Sequence, residues 1–134
     1  MSDRWPVEAI PNADTLYVRV HRQWLRDGHV LPGCFQNRPD EATGATSSDW
    51  AKYATPDETR QRARRPEMNA VVALNVGRVR TIPEQRVIHS PVQFDPELPD
   101  NRAHTDVAGP KESDPDVRRL FVRIATLVLA LPPA

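Results

Sequence analysis

Fourteen prolines are spread along 134 residues, about twice the usual share of roughly 5 %, and they limit every regular element this chain can form. Proline has no backbone N–H, breaks a helix interior and pushes the residue before it toward extended geometry, so strands and helices must fit between prolines. Much of the chain is therefore ordered loop. At this length one modest core is expected, fed by 39 % hydrophobic and 6 % aromatic residues, and the whole chain, 1–134, reads as a single domain. Residues 1–13, with Pro6 and Pro11, read as an irregular arm tacked down by Trp5.

Between the prolines the periodicities are clear. Residues 15–20 alternate, with Leu16, Val18 and Val20 on one face and Tyr17, Arg19 and His21 on the other, which predicts a half-buried strand. Residues 21–26 either extend it into a hairpin through Asp27-Gly28 or form one helical turn carrying Trp24 and Leu25 inward. The stretch 37–49 is polar and reads as a long loop. Thr55-Pro56-Asp57-Glu58 predicts a helix start, with Thr55 as N-cap, Pro56 at the first position and Glu58 three after the cap, and the helix should run to Arg65. That helix has almost no apolar face and is expected on the surface.

Residues 69–76 are nearly continuously apolar, as in a strand covered on both faces, and are expected at the centre of the sheet. After a turn or bulge at Gly77, 78–82 and 86–89 read as further strands, and 102–107 as the last. A C-terminal helix is expected from an Asp114 cap to Pro132, its stripe formed by Val117, Leu120, Phe121, Ile124, Leu127, Val128 and Leu131. Beyond Arg123 it is apolar nearly all round, which marks Leu127, Val128 and Leu131 as an interface if its end is not sunk in the fold. The fold class is α+β: a mostly antiparallel sheet of about five or six strands, open to barrel-like closure, with the C-terminal helix packed on it and a short polar helix outside.

Eighteen basic and eighteen acidic residues cancel, which removes the simplest argument for nucleic-acid binding. The charge is uneven: 56–80 holds six arginines against three acids, and 95–116 holds seven acids against Arg102 and Lys111. Arg60, Arg62, Arg64 and Arg65 form a candidate patch for phosphate or an acidic partner. The single cysteine, Cys34, excludes an internal disulfide. No leader or apolar run long enough to span a bilayer is seen, so a cytoplasmic location is expected.

The densest chemistry lies at 86–109. Arg102, His104 and Asp106 are two apart and share one face of a strand. If the strand of Tyr17, Arg19 and His21 lay alongside, His21 and His104 could divide acid and base work while Arg19 and Arg102 hold phosphate. Metal readings through His89, His104 and Asp106, or His21 and His29, follow no known ligand spacing, so neither a metal nor a cofactor is expected. Cys34 reads as a small buried residue. Phosphate-binding glycine motifs and the G-x-S-x-G elbow are absent.

The runs L-Y-V-R-V-H at 16–21 and N-R-A-H-T-D-V at 101–107 resemble short stand-alone bacterial proteins, a likeness that carries no activity. A strand bearing Y-x-R-x-H also resembles the opening strand of ADP-ribosyltransferase-like enzymes. The Ser-Thr-Ser strand and Glu-x-Glu pair that accompany it there are missing, with Ser47-Ser48 read as loop, so no role is assigned from it.

Read by sequence, the chain is first a non-enzymatic binding or accessory module of a larger bacterial assembly, with a protein partner or a second copy as its mate. The alternative is a metal-independent, His-dependent enzyme acting on a phosphodiester or nucleotide. A further alternative is nucleic-acid binding through the Arg60 to Arg65 helix, which would weaken steeply with salt.

Overall fold

The computed structural model describes residues 3–37, 45–111 and 115–133. Six strands form one antiparallel sheet, β1 (Thr15–His21), β4 (Ala45–Trp50), β5 (Asn69–Asn75), β6 (Arg86–His89), β7 (His104–Ala108) and β8 (Thr126–Leu129), in the order β6-β7-β4-β1-β5-β8. The sheet is not closed. Strands β6 and β8 are its two edges, so the barrel-like option is corrected to an open sheet.

β1 forms as its alternation requires: Leu16, Val18 and Val20 are buried, and Tyr17, Arg19 and His21 are half-buried on the other face. Of the two alternatives for the next residues, the helical turn forms, and the hairpin forms as a separate two-stranded sheet and not as an extension of β1. Arg22–Trp24 makes one 3-10 turn, and Leu25–Arg26 (β2) then pairs with His29–Val30 (β3) across Asp27-Gly28, both at positive φ as a two-residue hairpin turn needs.

On the core face, helices α2 (Val76–Thr81) and α3 (Pro115–Ile124) cover the apolar side of the sheet, with the Phe35 and Phe121 rings stacked at 5.2 Å. Lys111 is fully buried there, its ammonium donating to Asn37 Oδ1 at 2.8 Å and to the carbonyls of Val107 and Gly109. On the opposite face lies α1 (Pro56–Gln61), opened by the expected capping box: Thr55 Oγ1 accepts from the Glu58 amide, and Glu58 Oε1 accepts from the Thr55 amide.

Several expectations change. The 37–49 loop contains β4, which lies between β7 and β1 at the middle of the sheet, while 38–44 are outside the described residues. Its hydroxyls are satisfied internally, Thr46 donating to Gln36 O and Ser48 to Thr105 O, and this lets so polar a strand be buried. β5 is buried on both faces but stands next to the edge strand; α1, not a central position, covers its second face. α1 stops at Gln61, four residues short, because Pro66 holds Arg65 out of helical geometry and the chain turns beforehand. It is also less superficial than expected, with Thr59 and Arg60 buried.

Residues 78–82 are not a strand. The Asn75 side chain caps Arg78 N at 2.9 Å, and Val76, Val79 and Ile82 enter the core at helical spacing, giving α2. The C-terminal helix ends at Ile124. The remaining apolar run has no second layer to bury a helix all round, and as β8 it completes the outer ladder of β5. The Asp114 cap falls outside the described residues. No helix among the described residues is long and apolar enough to cross a membrane.

Candidate active site

The face of the sheet opposite the core carries Tyr17, Arg19 and His21 from β1, Ser47 and Asp49 from β4, and His104 and Asp106 from β7. α1 rises over its β1 side and residues 92–101 border its β7 side, leaving a cleft of about 460 Å³. That size lies within the range typical of small-molecule sites, roughly 300–1,000 Å³.

At the β7 side of the cleft, His104 is held in one tautomer. Its Nδ1 is 2.9 Å from the carbonyl oxygen of Ser90, which can only accept, so Nδ1 carries the hydrogen; Ser90 Oγ, at 3.0 Å, shares it. In the neutral ring Nε2 is then the basic nitrogen, and Ser47 Oγ at 3.3 Å donates to it. Asp106 Oδ1 is 4.0 Å from the same Nε2, placed to balance the charge once the ring takes a proton. A hydroxyl donating to an imidazole whose other nitrogen is fixed is the arrangement by which a serine is activated.

Beside this pair, Asp49 is buried and accepts from three directions: Thr59 Oγ1 at 2.8 Å, Arg62 Nη1 at 3.1 Å and Asn101 Nδ2 at 2.9 Å. It ties α1 and the 92–101 border to the centre of the sheet. Arg19 Nη1 donates to the Thr59 carbonyl at 3.1 Å. Burial pushes the Arg19 guanidinium below its ordinary pKa, with Asp49 opposing and Arg62 adding to the shift. It stays cationic at neutral pH, and weakened hydration makes such a cation a stronger anion ligand.

The residues singled out by sequence divide. His21 and His104 both line the cleft, but β4 lies between their strands and Tyr17, not His21, stands in the row of Asp49 and His104. Two strand spacings and four residues of rise separate their α-carbons by roughly 16 Å, too far for an acid–base pair around one bond. His21 also uses Nδ1 to accept from the Gln23 amide. Arg102 leaves the His104 and Asp106 face, since it precedes β7; its guanidinium stacks 4.4 Å from the Tyr53 ring centroid and 5.9 Å from that of Trp5.

His89 is buried on the core side, accepting from Glu8 N at Nδ1 and donating from Nε2 to Arg102 O. It cannot join His104 on a metal. No group of three or more metal-capable side chains occurs among the described residues. Burial pushes the Cys34 thiol up to about 12, so it is no nucleophile at neutral pH.

The arginine patch is split as well. Arg60 is buried and donates to the Ala130 carbonyl, Arg62 is paired with Asp49, and Arg64 and Arg65 remain on the surface. Leu127, Val128 and Leu131 are exposed, along the β8 edge and not on a helix.

No protein-family model, curated protein or solved structure matches the chain.

Sequence reading gave no functional role to the cleft residues Ser47, Asp49 and Trp24, nor to Ser90, which holds His104 from outside the cleft lining. The alternation in T-S-S-D-W, which puts Ser47 and Asp49 on one face and Thr46, Ser48 and Trp50 on the other, was the available signal for two of them. Small polar residues are also the usual composition of a loop, which masked it.

Proposed function

We propose that the protein is a metal-independent enzyme that cleaves or transfers at phosphorus, with Ser47 and His104 as its reacting pair. The observation carrying this reading is the Ser47 Oγ to His104 Nε2 contact in a cleft that also holds the half-buried cation of Arg19. In the step it supports, the Ser47 oxygen forms a bond to phosphorus while its proton passes to His104 Nε2. The bond to the leaving oxygen breaks, and the imidazolium returns that proton to the leaving oxygen. A water then reverses the sequence and frees the serine. Arg19 faces the equatorial phosphate oxygens as their charge grows, and Asp106 offsets the imidazolium. Asp49 and Arg62 position α1 and touch no reacting atom.

The test is turnover of a chromogenic phosphodiester, bis(4-nitrophenyl) phosphate, with intact-mass measurement of the protein during turnover. Nitrophenol release with a nitrophenyl-phosphoryl adduct on Ser47 is expected. Activity retained by Ser47→Ala and His104→Gln together would overturn it.

A second reading, the binding or accessory module, has its own support in the β8 edge. Leu127, Val128 and Leu131 are exposed beside a ladder paired on one side only, and 125–131 holds no charge or proline to discourage pairing. It predicts an association, with a protein partner or a second copy, that Val128→Lys abolishes in sedimentation velocity of the full chain or of its complex.

A further inference from the structure

The cleft has two unlike ends. The row of Tyr17, Asp49 and His104 marks one, His21 stands four residues further along β1, and the 3-10 turn that follows His21 adds Trp24 to the lining. Trp24 is fixed there from behind. A Cβ on Gly33 would fall 2.3 Å from Cζ3 and within 2.9 Å of two further carbons of its six-membered ring, so only a glycine lets the indole settle against this backbone. The Trp24 carbonyl also accepts from Leu31 N at 2.7 Å, which closes the turn. The indole is half-buried and lines the cleft.

Arg19, His21 and Trp24 thus all line the cleft, the indole packing on its far side against the hydrophobic core. Arg19 and His21 are two residues apart on one strand face, about 7 Å, the span of a ribose between its base and its 5′-phosphate. Because Nδ1 of His21 accepts from Gln23 N, the hydrogen of the neutral ring is on Nε2, the nitrogen left for a ligand hydroxyl or base oxygen.

We infer that the substrate is a nucleotide, its base against Trp24 and its phosphate at Arg19 beside Ser47 and His104. This rests on the phosphoryl reading above and adds a specificity-determining residue to it. An aromatic wall holds any base through its π face, so affinity should depend on the presence of a base more than on which base it is.

The experiment compares binding of adenosine 5′-monophosphate, uridine 5′-monophosphate, ribose 5-phosphate and inorganic phosphate to the full-length protein by calorimetry. Wild-type protein, Trp24→Phe and Trp24→Ala are measured in parallel, and the indole N–H resonance of Trp24 is followed by NMR. Both nucleotides are expected to bind wild-type protein at least about tenfold more tightly than ribose 5-phosphate. The advantage should persist in Trp24→Phe and vanish in Trp24→Ala, and the Trp24 resonance should shift with nucleotide and not with phosphate. Equal affinity of wild-type protein for the nucleotides and ribose 5-phosphate, or an unmoved Trp24 resonance, overturns the inference while leaving an Arg19 phosphate site standing. Failure of every phosphate compound to bind overturns both. The wild-type comparison and the NMR shift decide the matter even if Trp24→Ala does not fold.

Discussion

Ser47 Oγ and His104 Nε2 lie 3.3 Å apart across two adjacent strands, although 57 residues separate them in the chain. Replacing His104 by Gln keeps a polar side chain and removes the base. The expected loss in phosphodiester turnover is on the order of 10²-fold or more, with the thermal midpoint nearly unchanged. Ser47→Ala should lose as much, and the double variant little more, because the two act as a unit. Steady-state kinetics on the three variants decides this; additive losses would count against a shared step.

Asp49 is the polar keystone of the fold, not of the chemistry. Asp49→Ala strands the Thr59 hydroxyl, the Arg62 guanidinium and the Asn101 amide, and should cost about 3 kcal/mol. Urea unfolding should show a lower midpoint at an unchanged slope. An unaltered midpoint would mean that α1 docks without this carboxylate.

Cys34 is a silent thiol. With its pKa pushed up to about 12 by burial, the thiolate fraction at pH 8 is about one part in 10⁴, and alkylation by iodoacetamide should run roughly a thousandfold slower than for an exposed cysteine. Unfolding in urea should restore the ordinary rate. Fast labelling of the folded protein, followed by mass spectrometry, would contradict the burial argument.

The arm of residues 3–13 is held by a pH-dependent latch. Glu8 accepts from Lys52 Nζ at 2.7 Å and from the Tyr53 hydroxyl at 2.5 Å. The Lys52 hydrogen bond, then that of Tyr53, lowers the Glu8 pKa below its ordinary 4.5. A carboxyl depressed in the folded state stabilises that state fully above its unfolded pKa, and the contribution disappears as pH falls through the folded value. Lys52 is raised by the same partner, so its share is present below its ordinary 10.5 and is lost only as pH rises past the folded value. The latch should hold through neutrality and open in acid below 4.5. NMR shifts of the Trp5 indole against pH should show this transition in wild-type protein and lose it in Glu8→Gln.

What the sequence determined by itself was local. Alternation fixed which face each residue of β1 presents and the capping box fixed where α1 begins, because each depends on backbone sterics and hydrogen bonds within a few residues. Local pattern also put His104 and Asp106 on one face, as found. The order of the strands was not legible. β4, composed like a loop, inserts between β1 and β7, which parts His21 from His104 and puts Ser47 in the place expected of His21. The apolar C-terminal run was equally open locally, and it became β8 because β5 had an outer ladder to fill. Side-chain period sets the face a residue takes. Which residue it meets there is set by long-range pairing and burial, and only the assembled sheet supplies those.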